Sequence, residues 1–245
     1  MPLFGFLTDP LYLTCTVLGL LLTFWAQWRV KSTFQRYHGQ AVLSGMTGAQ
    51  AAATVCRAAG VVDVAIEQHP GMLSDHYDPR TRTLRLSTEV YRGSSIAAVA
   101  VAAHEAGHAI QHAQRYAWLG MRSKLVPLTN IGSRLYMLPF IIGMGLATSS
   151  QTQSSLGMGL MQLGILCFAV VVLFQLVTLP VEFDASRRAR EVLTQSGIVR
   201  STAEADGVTS VLNAAAMTYV ASALSGALQL VFLILRAQSA GRRNE

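Results

Sequence analysis

The sequence predicts a membrane protein, mainly α, in which transmembrane helices are joined to one small cytoplasmic α+β unit. Three observations carry that expectation. Of the 245 residues, 51% are hydrophobic and only 13% charged, whereas charged residues make up about 25% of a soluble domain. The apolar residues gather into long runs with arginines near their ends, as the positive-inside rule places them. After the first run, helical periodicity gives way to short β-branched and alternating segments, then returns. Mean hydropathy is +0.39. The net charge of +6 does not point to nucleic acid, because no basic run interleaves with aromatic residues. Cys15, Cys56 and Cys167 show no metal-ligand spacing, so free thiols are expected.

Residues 1–30 form an N-terminal transmembrane anchor. Leu11 to Trp28 is apolar, Trp25 and Trp28 close it as an aromatic belt, and Arg29, Lys31 and Arg36 follow. Only Asp9 is charged before it, which argues for an uncleaved anchor with its N-terminus outside.

Residues 31–134 are expected to form the cytoplasmic α+β unit. Thr47-Gly-Ala-Gln50 is a capping-box pattern that opens a helix, and Gly60 ends it. Val61 to Glu67 is β-branched and bounded by His69-Pro70-Gly71, which reads as a strand and a turn. Met72–Tyr77 and Arg82–Ser87 flank Asp78-Pro79-Arg80-Thr81, a tight turn with proline at its second position. Arg82–Ser87 is a candidate edge strand for an extended peptide to pair with, or a plain hairpin. Ser94 or Ser95 then caps a helix reaching toward Tyr116.

That helix carries His104-Glu105-Ala106-Gly107-His108. Positions i and i+4 share a helix face, roughly 5–6 Å apart, so two imidazoles can hold one Zn²⁺. The glutamate beside them is placed to act as a general base on water. The preceding Ile96 to Ala103 is almost wholly apolar, so the histidines and glutamate enter a buried setting where they need partners. Gly107 costs helix propensity and leaves room for a metal or a backbone.

Residues 135–181 hold two further spans. Leu135 to Ser149 is short of the about 20 residues a span needs, and Pro139 interrupts it. Extending it back through Leu125–Ile131 restores the length and draws in Arg134, which then belongs at the interface. The polar turn Ser149–Ser155 is expected at the outer face. Leu156 to Val181 is the most apolar span and returns the chain to Arg187, Arg188 and Arg190. Residues 182–207 form a cytoplasmic segment. Residues 208–245 are an apolar helical region with a basic tail. Its first half suits packing on the cytoplasmic unit, and Ala221 to Leu235 suits entry into the membrane.

A catalytic zinc site commonly has three protein ligands. His112 lies a full turn beyond His108, roughly 6 Å along the axis, and a straight helix does not wrap three turns around one ion. Glu182, just past the third span, is the preferred third ligand, because a carboxylate so near hydrocarbon is costly unless paired or metal-bound. Asp184 is the alternative ligand, or a group that orients a histidine ring. A third reading has both acids capping a helix that contains Arg187–Gln195. Oxyanion stabilisation has candidates in His76, Tyr77, His112, Tyr219 and Arg187.

The segments Asp75 to Thr81, Thr83 to Ser87, Ala103 to His112 and Leu179 to Arg188 together resemble the YugP-type membrane zinc metallopeptidases of bacteria. The resemblance runs from about Lys31 to Leu224. The chain is more distantly similar to the HtpX-type membrane proteases. The resemblance implies a zincin-like metallopeptidase unit of gluzincin type, with one Zn²⁺ per chain held by His104, His108 and Glu182, and with Glu105 as catalytic base. It also implies a polypeptide substrate and a multi-pass location in the bacterial cell membrane, with the active site facing the cytoplasm. Homo-oligomerisation stays open. In the HtpX-type pattern an aspartate follows the ligand glutamate by four residues. Here that position is Ser186, and Asp184 is the candidate to take over the role. Two other readings stand beside this one: intramembrane proteolysis, and a non-catalytic zinc-containing scaffold.

Overall fold

The structure, a computed structural model, describes residues 8–71, 74–147 and 151–241. Its elements in order are α1 (Pro10–His38), α2 (Gly48–Ala58), β1 (Ala65–His69), β2 (His76–Asp78), β3 (Thr83–Ser87), α3 (Thr88–Arg92) and α4 (Ile96–Ala113). They continue with α5 (Ala117–Leu135), α6 (Met137–Ala147), α7 (Gln151–Gln195) and α8 (Thr202–Gly241). The chain is mostly helical. Among the described residues, three helices, α1, α7 and α8, are long and apolar enough to cross a membrane, and the bent pair α5–α6 makes a fourth if counted as one span.

The chain divides into two compact units. One gathers Met1–Trp25, Met121–Thr178 and Tyr219–Glu245, and the other gathers Ala26–Gly120 and Leu179–Thr218. In the first, Phe140, Met161, Phe232 and Leu233 are buried in one cluster, and Ser225 donates to the Gly19 carbonyl at 3.2 Å. Arg236 pairs with Asp9 at 3.5 Å. The 42° bend between α5 and α6 falls at Tyr136, just before Pro139. Proline has no amide to return to the Leu135 carbonyl, so the helix breaks there. Arg134 lies within α5, whose last turn it occupies. Of the polar turn expected over Ser149–Ser155, Ser149 and Ser150 lie outside the described residues, and the rest belongs to α7.

The second unit is built on α4. Ser95 caps it, its Oγ accepting from the Ala98 amide at 3.1 Å, and the apolar stretch Ile96–Ala100 is buried along its whole length. The helix ends on Arg115, whose φ is +53°. The Tyr116 amide donates to the Gln111 carbonyl at 2.9 Å, a Schellman closure in which arginine takes the place usual for glycine. Helix α2 opens with the full capping box, Gln50 and Thr47 exchanging both bonds, and Gly60 at φ +75° follows it.

The strands pair in the order β1-β3-β2. β1 runs parallel to β3, with Ala65 opposite Thr83 and His69 opposite Ser87. β2 is antiparallel to β3, with Tyr77 opposite Leu84. This overturns the expectation that Arg82–Ser87 is an edge strand: both of its sides are occupied, and Leu84 and Leu86 are fully buried. β1 and β2 are the edges. The first strand also begins later than its β-branched residues suggest. Val61 closes α2 by donating its amide to the Cys56 carbonyl at 2.8 Å, and pairing starts only at Ala65, where Thr83 becomes available. Met72 and Leu73, expected in the second strand, lie outside the described residues.

Two long helices complete this unit. Helix α7 does not end at Pro180 but runs unbroken to Gln195, so Glu182 and Asp184 lie far from a helix N-terminus. The helix-capping reading of the two acids is thereby excluded. Helix α8 supplies Val208, Val211 and Leu212 to the same core. Near its start, the buried carboxylate of Glu204 accepts from the amides of Leu43 at 2.5 Å, Arg200 at 2.6 Å and Ser201 at 3.1 Å. It pins the connector after α1 to the beginning of α8.

Candidate metal centre

The site forms where α4 lies against the second half of α7. A Cβ built on Gly107 would stand 2.6 Å from the Ala185 carbonyl oxygen and 3.2 Å from Ala185 Cα. Only glycine lets the two backbones approach so closely. The room that Gly107 leaves is therefore filled by the α7 backbone.

This approach brings His104, His108 and Glu182 together, with one ligand atom from each all within 4.8 Å of one another. Glu182 is 2% exposed and His108 8%. Glu182 Oε2 lies 3.2 Å from His104 Nε2 and 3.6 Å from His108 Nε2. The two rings are nearly perpendicular, with centroids 4.8 Å apart. A tetrahedral zinc with ligands at about 2.0–2.2 Å requires donor atoms roughly 3.3–3.6 Å apart, close to what these atoms show. Two imidazoles and one carboxylate are also the donor chemistry zinc accepts in catalytic sites. The residues fit the ion.

Each histidine has its other nitrogen engaged. His104 Nδ1 is 3.1 Å from Ser186 Oγ. His108 Nδ1 is 3.0 Å from Gln111 Oε1, and Gln111 is wholly buried. Ser186, four residues after Glu182, thus touches a histidine at the position where the HtpX-type pattern has aspartate. Asp184 touches neither ring. Its carboxylate accepts from Gln111 Nε2 at 2.9 Å, from Arg188 Nε at 2.5 Å and from Arg187. Those three donors occupy it, and it is not in the ligand cluster.

Glu105, between the ligand histidines, is half-buried. Desolvation pushes its carboxyl up from the usual range, against the pull of His104 and His108. For His108, burial lowers the imidazole, but the Glu182 and Glu105 carboxylates outweigh it and the net direction is up. His112 is outside the cluster, its Nδ1 2.8 Å from the Tyr77 hydroxyl on β2. His76 is exposed and donates from Nδ1 to the Ser74 carbonyl at 2.8 Å. Arg187 is also committed to Glu191, bridging both of its oxygens at 2.9 Å. Tyr219 belongs to the other compact unit. Gln111 is the site residue that sequence reading passed over. Its signal was an amide three residues after a ligand histidine, on the same helix face.

The family model described as "Putative neutral zinc metallopeptidase" matches residues 12–238. The chain belongs to this family. It is 43% identical over 225 residues to the "Putative membrane protease YugP" of Bacillus subtilis (strain 168), covering 92% of this chain and 96% of that relative. No solved structure matches the chain.

Proposed function

We propose that the protein is a zinc-dependent endopeptidase that hydrolyses peptide bonds of membrane or misfolded polypeptides at the cytoplasmic surface of the bacterial cell membrane. One observation carries the reading: two histidines and a glutamate converge in a buried cluster with a second glutamate on the same helix turn. His104 Nε2, His108 Nε2 and a Glu182 carboxylate oxygen would hold one zinc ion. Bound there, zinc supplies Lewis-acid polarisation of the peptide carbonyl and lowers the pKa of water to about 7. Glu105 takes the proton from the attacking water on a carboxylate oxygen and returns it to the leaving amine nitrogen. A structural zinc site closes with four protein ligands, whereas the cluster among the described residues has three. That count, together with Glu105, favours hydrolysis over a scaffold.

The unpaired side of β2 is the proposed place for an extended substrate to add as a strand. Tyr77 on β2 and His112 on the motif helix, in contact with each other, are the proposed oxyanion donors. The basic residues that follow the first span and those after the α7 span support a cytoplasmic site. The motif is followed within a turn by Gln111, His112, Gln114 and Arg115, which favours catalysis at the interface over cleavage within the bilayer. Membrane-protein quality control is an inference by analogy with the HtpX-type proteins.

The test uses the full chain in detergent, loaded with zinc and offered an unfolded membrane-protein substrate. Glu105→Gln is expected to keep stoichiometric zinc and lose cleavage by at least about 10²-fold, within the usual worth of a general base. Cleavage at the wild-type rate in that variant removes the assignment.

A further inference from the structure

The hydrogen bonds around Gln111 have only one consistent direction. Its Nε2 is 2.8 Å from the Val181 carbonyl oxygen and 2.9 Å from Asp184 Oδ2. A carbonyl only accepts, and so does a carboxylate paired with two guanidinium groups. The amide nitrogen must therefore face α7, and the amide oxygen must face His108 Nδ1, 3.0 Å away. An amide oxygen cannot donate, so His108 must carry its proton on Nδ1. When the ring is neutral, Nε2, 3.6 Å from Glu182 Oε2, is then the nitrogen that carries the lone pair.

We propose that Gln111 and Asp184 are positioning residues that fix His108 in its Nδ1–H form and so keep Nε2 ready for metal. In many zinc sites a carboxylate orients the ligand histidine directly. Here the carboxylate acts one step removed, through a buried amide. Arg187 and Arg188 hold the carboxylate in turn, and Arg188 Nη1 also reaches Gln114 Oε1 at 2.5 Å, tying it to the end of the motif helix. The Schellman bond from Tyr116 to the Gln111 carbonyl fixes the same residue through its backbone. His104 has no such constraint, because the Ser186 hydroxyl near its Nδ1 can donate or accept. The two ligand histidines are thus held unequally.

This inference rests on the proposed zinc site, and the experiment separates the two. Zinc loss from the full-length protein in detergent is followed with an excess of a chromogenic chelator. The proteins compared are wild type, Glu182→Ala, Asp184→Asn, Gln111→Leu and the Asp184→Asn/Gln111→Leu double variant, each checked for folding by circular dichroism. Wild type that binds no zinc overturns the proposed function itself, and Glu182→Ala that keeps it overturns the assignment of Glu182 as third ligand.

With that control passed, Gln111→Leu is expected to release zinc roughly 10–100-fold faster, the usual cost of losing a histidine-orienting partner. Asp184→Asn is expected to release it faster by a smaller factor. The double variant should match Gln111→Leu alone, because the proposed relay runs from Asp184 to His108 through Gln111. Effects that multiply in the double variant refute the relay, as does wild-type zinc loss in Asp184→Asn. If Gln111→Leu does not fold, the near-isosteric Asp184→Asn still decides. ¹⁵N shifts of the metal-free wild type, recorded at a pH where the His108 ring is neutral, then supply the spectroscopic readout: the Nδ1–H form supports the relay, and the Nε2–H form overturns it.

Discussion

Gly107→Ala tests the close approach on which the metal centre depends. The added Cβ would sit 2.6 Å from the Ala185 carbonyl oxygen, and ordinary contact begins at 3.4 Å. The α4 and α7 backbones would have to separate there by about 0.8 Å. Neither atom belongs to a flexible side-chain end, so the strain cannot be shed by a rotamer change. Alanine gains roughly 1 kcal/mol of helix propensity over glycine, while overpacking costs about 1–3 kcal/mol. The net effect on stability is therefore small, at most about 2 kcal/mol. The effect on the site is larger, because metal sites hold ligand distances within about ±0.2 Å and a 1 Å misplacement can cost about 10²-fold in rate. The expected outcome is a folded protein with zinc affinity weakened by at least about tenfold and peptide cleavage reduced by about 10²-fold. Chelator competition, substrate cleavage and thermal unfolding measure the three quantities on one preparation. Wild-type zinc affinity with a raised melting temperature would refute the reasoning, because alanine would then be acting as a plain helix former in open space.

Further outcomes follow from other parts of the molecule. Glu182→Ala should fold and fail to hold zinc through dialysis; a full metal complement by elemental analysis would move the search for the third ligand elsewhere. Glu204→Ala strands three backbone amides and should lower unfolding free energy by about 2–4 kcal/mol, given roughly 1–3 kcal/mol per buried unsatisfied group; a loss below about 0.5 kcal/mol would show that the connector after α1 is not held there. The Arg85 guanidinium 2.9 Å away, with help from the Arg80 amide, holds the Asp78 carboxyl down at about 2. Because that folded value lies below the ordinary 3.8, its contribution is complete above pH 4 and is lost as pH falls toward 2. Thermal melts between pH 5 and 2 should show Asp78→Asn lacking this part of the acid sensitivity.

What could be read in advance divides along the range of the interactions involved. The capping box at Thr47, the Ser95 cap and the shared face of His104 and His108 depend on residues within four positions of one another, and local rules suffice for them. The strand order does not: Arg82–Ser87 alternates as an edge strand would, and only the partners on both sides reveal it as central. Val61 looks like a strand residue because it is β-branched, yet its amide is taken by the end of α2. The third span reads as ending at Val181, yet α7 continues past it to Gln195, with Ala185, Ala189 and Leu193 buried along that extension. Gln111 escaped notice because its value lies in three groups from two helices, and no local pattern marks such a meeting point.

The third member of the metal cluster comes 78 residues after His104. A growing chain completes the motif helix long before it makes that carboxylate, and until then the two imidazoles lack the third member of the cluster. Synthesis therefore carries its own safety catch. Under the proposed function, a stalled chain that stops short of α7 lacks one of the three ligands, and a freshly made molecule has its full ligand set only once residue 182 has been translated and α7 has packed against α4.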